Sequence, residues 1–176
     1  MMILMAGRSF FYIDHLQEML GKGTFGQVTL TDGVAVKTPR RGQSLASEYE
    51  TLRAINRLLP EHPHLVRVLG YEKSTESLRM EFLENHQPMN KIAWDTIQET
   101  EKRRYYRQLK RTVADLHDIG YAHHDIAPRN LMIDRSKRSL RLIDFGKAHS
   151  FRGDLGYACI REDRQAVKRI RDYLGL

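Results

Sequence analysis

The chain has 176 residues, 41% of them hydrophobic and 29% charged, which fits one soluble globular domain with no repeat, low-complexity tract or linker. A formal charge of +7 and a pI near 9.6 are consistent with an acidic partner, whether nucleic acid, anionic membrane or acidic protein face, or equally with a basic solvated surface. The single cysteine, Cys159, excludes a disulfide framework and a zinc site built on a cysteine pair; Met1 to Ala6 is too short to span a membrane and lacks signal-peptide flanks, so a reducing cytoplasmic setting is expected.

Between Phe10 and Leu30, apolar residues flank Gly21-Lys22-Gly23-Thr24-Phe25-Gly26, which predicts two strands joined by a tight loop whose amides can cover phosphates. A G-x-G-x-x-G triplet also occurs in dinucleotide folds, but there it opens a helix. Here Gln27-Val28-Thr29-Leu30 has strand composition, and Thr31-Asp32-Gly33 turns into Val34-Ala35-Val36-Lys37, so a hairpin follows. Glycines that serve only a turn are the plainer reading. Lys37 ends an apolar strand, which sets its ammonium at the edge of a cleft in need of a carboxylate. A helix is predicted from Ser44 to Leu59, with Leu45, Leu52, Ile55 and Leu59 on one face. Glu48 lies on that face and Glu50 about 200° away, so Glu48 is the expected partner of Lys37, the alternative being a solvated helix carboxylate.

His62 and His64 read as loop residues, because no other ligand spacing supports a metal there. Thr96 to Gly120 predicts a long helix, apolar at Tyr106, Leu109, Val113 and Leu116 and stopped by Gly120. On its opposite side Arg103, Arg107 and Lys110 form a stripe flanked by Arg104 and Arg111, and Arg135, Lys137, Arg138 and Arg141 follow; this is either a docking surface or a solvated face. Next come His123-His124-Asp125-Ile126-Ala127-Pro128-Arg129-Asn130, the apolar Leu131-Met132-Ile133 and then Asp144-Phe145-Gly146. An aspartate five residues before an asparagine, with an apolar strand leading to a second aspartate and glycine, lets a loop hold one proton acceptor and two metal ligands around a polyphosphate. Lys147 to Tyr157 reads as a loop. Arg161 to Leu174 reads as a helix, with Asp163 near its start and Ala166, Val167, Ile170 and Leu174 as its apolar side.

The glycine loop, Val34-Ala35-Val36-Lys37, the His123 to Asn130 loop and Asp144-Phe145-Gly146, in this order, resemble the eukaryotic-type protein kinase family over roughly Gly21 to Gly146. The resemblance implies one minimal domain, residues 1–176, with a two-lobed α+β fold. Residues 1–83 would supply an antiparallel sheet, one helix and the hinge, with a turn and the fourth strand over His62 to Leu69 and the fifth strand and hinge over Leu78 to Leu83; 84–176 would form a reduced helical lobe lacking the substrate-docking helices. It implies ATP and Mg2+ as cofactors and transfer of the γ-phosphoryl group to a protein hydroxyl, serine or threonine ahead of tyrosine. In that scheme Gly21, Lys22, Gly23, Thr24, Phe25 and Gly26 cover the phosphates, and Lys37, paired with Glu48, holds the α- and β-phosphates. Val28 and Ala35 above and Met132 below enclose the adenine, Met80 is the gatekeeper, and backbone groups of Glu81 and Leu83 read the adenine edge. Asp125 is the base or orienter for the acceptor, and Asn130 and Asp144 are the Mg2+ ligands. Leu52, Val68, His123 and Phe145 stack as an internal spine, and Asp163 either braces the catalytic loop or only favours a helix start.

Two departures shape the expected regulation. His124 stands where the family has an arginine that receives a phosphorylated activation segment, so such control is expected to be absent. Ala127 replaces a lysine common in serine/threonine kinases, and Arg129 sits four residues after Asp125. With only 30 residues after Gly146, the chain is similar to bacterial effector kinases that act in host cytoplasm with a ubiquitin-loaded conjugating enzyme, and to viral minimal kinases. An activating partner on the Arg103, Arg107, Lys110 face is the corresponding expectation. Three other readings stay open: an aminoglycoside-type small-molecule phosphotransferase, a tRNA-modification ATPase of the small atypical kinase type, and a pseudokinase scaffold. The intact glycine loop and the Met80-Glu81-Phe82 hinge weigh against the first two, and the presence of Lys37, Asp125, Asn130 and Asp144 against the third.

Overall fold

The computed structural model describes residues 5–6, 9–10, 18–23, 26–153 and 155–176. Strands β1 (Met5–Ala6) and β2 (Ser9–Phe10) form a short antiparallel pair. Five strands follow: β3 (Glu18–Lys22), β4 (Gly26–Thr31), β5 (Val34–Pro39), β6 (Val68–Glu72) and β7 (Ser77–Glu81). They build one antiparallel sheet in the order β3-β4-β5-β7-β6. Asp32 and Gly33 take φ of 51° and 75°, the left-handed pair that closes a two-residue hairpin between β4 and β5. Helix α1 (Ala46–Leu58) lies between β5 and β6 in sequence and buries Glu48, Leu52 and Ile55, so one carboxylate enters the cleft along with the helix's apolar face.

The second lobe contains β8 (Gln87–Pro88), α2 (Glu99–Asp118), β9 (Tyr121–Ala122), β10 (Leu131–Asp134), β11 (Ser139–Leu142), β12 (His149–Ser150) and α3 (Leu155–Tyr173). β8, β10 and β11 pair into a small sheet, and β9 pairs with β12. This placement pins both ends of the 123–146 segment: β9 precedes the His123 to Asn130 loop, and β10 and β11 carry the chain on to Asp144. No helix among the described residues is long and apolar enough to cross a membrane.

Four expectations shift. The strand predicted within His62 to Leu69 starts only at Val68, because the residues before it pair elsewhere: Val66 N–H donates to Leu142 O at 3.2 Å and Leu142 N–H to His64 O at 2.8 Å. This segment straps the sheet lobe to β11. On α2 the buried tyrosine is Tyr105, edge-on to Trp94 at 5.9 Å, while Tyr106 is half-buried. The true stripe of Tyr105, Leu109, Val113 and Leu116 steps by four, four and three residues. Helix α1 begins at Ala46, two residues later than expected. Helix α3 starts at Leu155, six residues earlier than expected, so much of Lys147 to Tyr157 is not loop. Gly156 is buried within this helix against Phe151, whose ring a Cβ there would meet at 2.7 Å.

Candidate active site

Strand β5 alternates its burial, so Ala35 and Lys37 face inward together. The Lys37 ammonium donates to Glu48 Oε2 at 2.7 Å and Oε1 at 2.9 Å, and to Asp144 Oδ1 at 2.8 Å. Burial pulls Lys37 down, but the two carboxylates outweigh it and hold the ammonium above the ordinary lysine value. Burial pushes Glu48 up against the pull of Lys37. The Phe145 amide also bonds Glu48, which joins α1 to the segment carrying Asp144. Two carboxylates around one ammonium leave a net negative charge, a setting that favours an added cation. Asp144 sits at φ 63°, strained for a non-glycine residue and held there by its neighbours.

Asp125 forms a second cluster. Asn130 Nδ2 donates to the Asp125 carbonyl at 2.8 Å and to Oδ2 at 3.0 Å, and Arg129 Nη2 donates to both carboxylate oxygens at 2.7 and 2.8 Å. Lys147 Nζ reaches Oδ1 at 3.3 Å. Burial raises Asp125, but Arg129, Asn130 and Lys147 win, holding it below the ordinary aspartate value. Lys147 was not foreseen from the sequence; its place straight after Asp144-Phe145-Gly146 is the signal that could have found it. Asn130 O accepts the Ile143 N–H at 3.0 Å, so the chain entering Asp144 runs beside Asn130. Their amide and carboxylate oxygens are the hard donors that suit Mg2+.

The loop between these clusters is held by Asp163 of α3. Its carboxylate, 1% exposed as a residue, accepts the His123 N–H at 2.8 Å, the His124 N–H at 2.9 Å and His117 Nε2–H at 3.0 Å. Burial raises Asp163, but these donors outweigh it and keep the carboxyl low. Of its two sequence readings, bracing the loop is the one the geometry supports. His123 is fully buried and burial holds it neutral; its Nδ1 accepts the Asp125 N–H at 3.2 Å, which leaves Nε2–H to donate to Ile143 O at 3.2 Å. Its ring meets Phe145 edge-on at 4.8 Å. Leu52 and Phe145 share the core into which Val68 packs.

Above the clusters, Ala35 pairs with Met80 across the sheet, and Val28 pairs with Lys37. Met132 lies on β10, and Met80 is 9% exposed. Glu81 N–H donates to Arg67 O at 3.0 Å, and Leu83 O accepts the His86 N–H at 3.2 Å. Gly21 and Lys22 end β3, Gly23 N–H closes on Gly26 O at 2.8 Å, and Thr24 and Phe25 lie outside the described residues. Gly26 is required: a Cβ there would lie 2.2 Å from Thr38 O. His62 and His64 are structural, bonding Asp115 at 3.1 Å and Leu140 O at 2.9 Å. The basic face is partly neutralised, Arg103 by Glu99 and Arg135 by Glu101. Arg141 does not belong to it: half-buried, it donates to Leu65 O at 2.8 Å and ties down the strap between the lobes.

A strand lysine clamped by a helix carboxylate and a loop aspartate, above an Asp–Asn loop braced from below, defines a phosphotransferase domain of the protein-kinase class. Residues 15–162 match the protein kinase domain family, and the chain belongs to it. It is 32% identical over 152 residues to maternal embryonic leucine zipper kinase of Danio rerio, covering 80% of this chain and 22% of that protein. It is also 32% identical over 147 residues to CBL-interacting serine/threonine-protein kinase 18 of Arabidopsis thaliana, covering 74% and 27%, and 34% identical over 144 residues to CBL-interacting protein kinase 17 of Oryza sativa subsp. japonica, covering 72% and 30%. The chain thus spans less than a third of the length of these relatives. The protein kinase domain as a class uses ATP with a divalent metal.

Proposed function

We propose that this chain is a Mg2+-dependent protein kinase that transfers the ATP γ-phosphoryl group to a serine or threonine hydroxyl. The observation that carries the reading is the Lys37 ammonium fixed between Glu48 and Asp144, next to the loop that joins Asp125 to Asn130. Residues 1–83 would form the nucleotide-covering lobe and hinge, and 84–176 the lobe that receives the acceptor. Lys37 offers a fixed positive charge to the α- and β-phosphates, and Val28, Ala35, Met80 and Met132 supply a dry slot for the base. Asn130 and Asp144 would hold Mg2+, which when bound neutralises charge on the phosphate oxygens.

Asp125, kept ionised by Arg129, would orient the acceptor hydroxyl and take its proton late, since a weakly basic carboxylate is a poor abstractor but a good hydrogen-bond acceptor. A groove of about 540 Å³ runs from Asp125 past Ala127 and Pro128 to Ala166, Arg169 and Tyr173 of α3, with room for an acceptor segment. Control by phosphorylation of the segment after Gly146 is not part of this reading, because His124 is engaged with Glu162 at 3.0 Å. An acidic activating protein would dock on Arg103, Arg107 and Lys110.

The test is incubation with γ-labelled ATP and Mg2+ in parallel with serine/threonine proteins, tyrosine substrates, RNA and aminoglycosides, using phosphatase-treated and untreated enzyme. Label on serine or threonine, at a rate unchanged by phosphatase, is the expected result. Label only on RNA or a small molecule, or hydrolysis without transfer, overturns it.

A further inference from the structure

Outside the nucleotide cleft, three metal-ligating side chains from three separate elements converge: His124 of the catalytic loop, His149 of β12 and Cys159 of α3. One ligand atom of each lies within 4.8 Å of the others. We propose that His124, His149 and Cys159 bind a Zn2+ ion that ties the segment after Asp144-Phe145-Gly146 to the residue preceding Asp125. This inference does not depend on the kinase chemistry.

The donor set and spacing fit. Two imidazoles and a thiolate suit zinc, and in a tetrahedral site with Zn–N and Zn–S bonds of about 2.0 and 2.3 Å, N and S ligands lie roughly 3.5 Å apart. Cys159 Sγ is 3.8 Å from His149 Nε2. The ring nitrogens are also pre-set. His149 Nδ1 lies 3.3 Å from Lys147 O, and His124 Nδ1 lies 3.0 Å from the Glu162 carboxylate, so each carries its proton on Nδ1, toward the oxygen. Both Nε2 lone pairs are thereby left for a ligand. A carboxylate or carbonyl behind a ligating histidine is the usual outer support of a zinc site.

A further observation points the same way: His124 Nε2 is buried and has no hydrogen-bond partner among the described residues, a cost that binding a metal removes. The two imidazoles stack at 4.3 Å with planes 8° apart, so binding one ion requires them to leave this stack, the exposed His149 ring turning until the two in-plane lone pairs converge. His149 is exposed, which gives the ion an entry path. A fourth position would stay open to water. Binding would add a further link among the catalytic loop, β12 and α3 to those made by the β9–β12 pair, the contacts of Asp163 and the His124–Glu162 bond.

Cys159 is the only cysteine in the chain, so a cobalt–thiolate absorption band reports this site alone and cannot arise from Asn130 or Asp144. The experiment titrates Co2+ and then Zn2+ into the tag-free chain without nucleotide, following absorption, stoichiometry and melting temperature. One Co2+ per monomer, a thiolate charge-transfer band bleached by Zn2+, and a rise in melting temperature of roughly 5–10 °C at a hundredfold excess over Kd are expected. Cys159→Ser and His149→Ala should fold yet lose the band and the thermal shift, and Glu162→Gln should weaken binding by about 10–100-fold. No thiolate band, a band that survives His149→Ala, or one ion shared between two chains through Cys159 would overturn the proposal.

Discussion

Lys37 and Glu48, on the proposed nucleotide side of the cleft, are 6% and 5% exposed, whereas the cations around Asp125 on the proposed acceptor side, Arg129 and Lys147, have side chains 57% and 49% exposed. The difference decides what each contact does. Losing one member of a buried pair strands a charge and costs several kcal/mol, so the nucleotide side is held in one geometry. Exposed pairs contribute at most about 1 kcal/mol, so Arg129 and Lys147 lower the Asp125 carboxyl without locking it in place. Beneath both regions, Asp163 belongs with the first kind although it touches no nucleotide site.

The contrast is broken most severely at Asp125. Asp125→Ala should lower phosphoryl transfer by about 10²–10⁴-fold, while its melting temperature falls little because its cationic partners are solvated. A large loss of stability in a thermal melt would show that the acceptor side is also a structural anchor.

Asp163→Ala should do the reverse. It leaves two buried loop amides and His117 without their acceptor, which should cost about 3 kcal/mol in a urea melt, with activity failing only through the displaced loop. The pH dependence has a definite sign. Because the folded-state value of Asp163 lies below the ordinary 3.8, its stabilisation is present in full above that value and is lost only as pH falls through the lower folded-state value. A gap between wild type and Asp163→Ala that closed on raising the pH would contradict this.

Arg129→Ala sharpens the tuning role. With its strongest cation gone, Asp125 should titrate at higher pH than in wild type, seen as an upward shift of its carboxyl resonance midpoint by NMR, with little change in stability. An unchanged midpoint would assign the lowering to Asn130 and Lys147. The smallest effect is expected at the basic stripe: reversing Arg103, Arg107 and Lys110 to glutamate should change stability by less than about 1 kcal/mol and leave the basal rate unaltered, but remove stimulation by an acidic partner. Stimulation that survives reversal places that partner elsewhere.

The same buried and exposed division explains what the sequence could tell. Glu48 was legible because burial imposes helical periodicity, and only one of the two candidate glutamates lay on the apolar face. The β4–β5 hairpin was legible because Asp32-Gly33 dictates its turn. The Asp125 to Asn130 spacing was legible because its chemistry fixes residue type, and the spine only through the family resemblance. What escaped depends on contacts between distant segments. Val66 joins β11 instead of its own strand, Gly156 enters a helix to make room for Phe151, and Lys147 reaches Asp125 across a turn. The His124, His149 and Cys159 cluster spans 36 residues and has no ligand spacing a sequence would reveal.

The central claim, that the Lys37–Glu48–Asp144 array serves Mg2+-dependent phosphoryl transfer, is tested most directly at Asp144. Asp144→Asn keeps the side chain's shape and an oxygen for Lys37 but removes the charge. Transfer from γ-labelled ATP, followed across a Mg2+ titration, should fall by about 10²–10³-fold in this variant at an unchanged melting temperature. Full turnover by Asp144→Asn with an unchanged Mg2+ requirement would contradict the account.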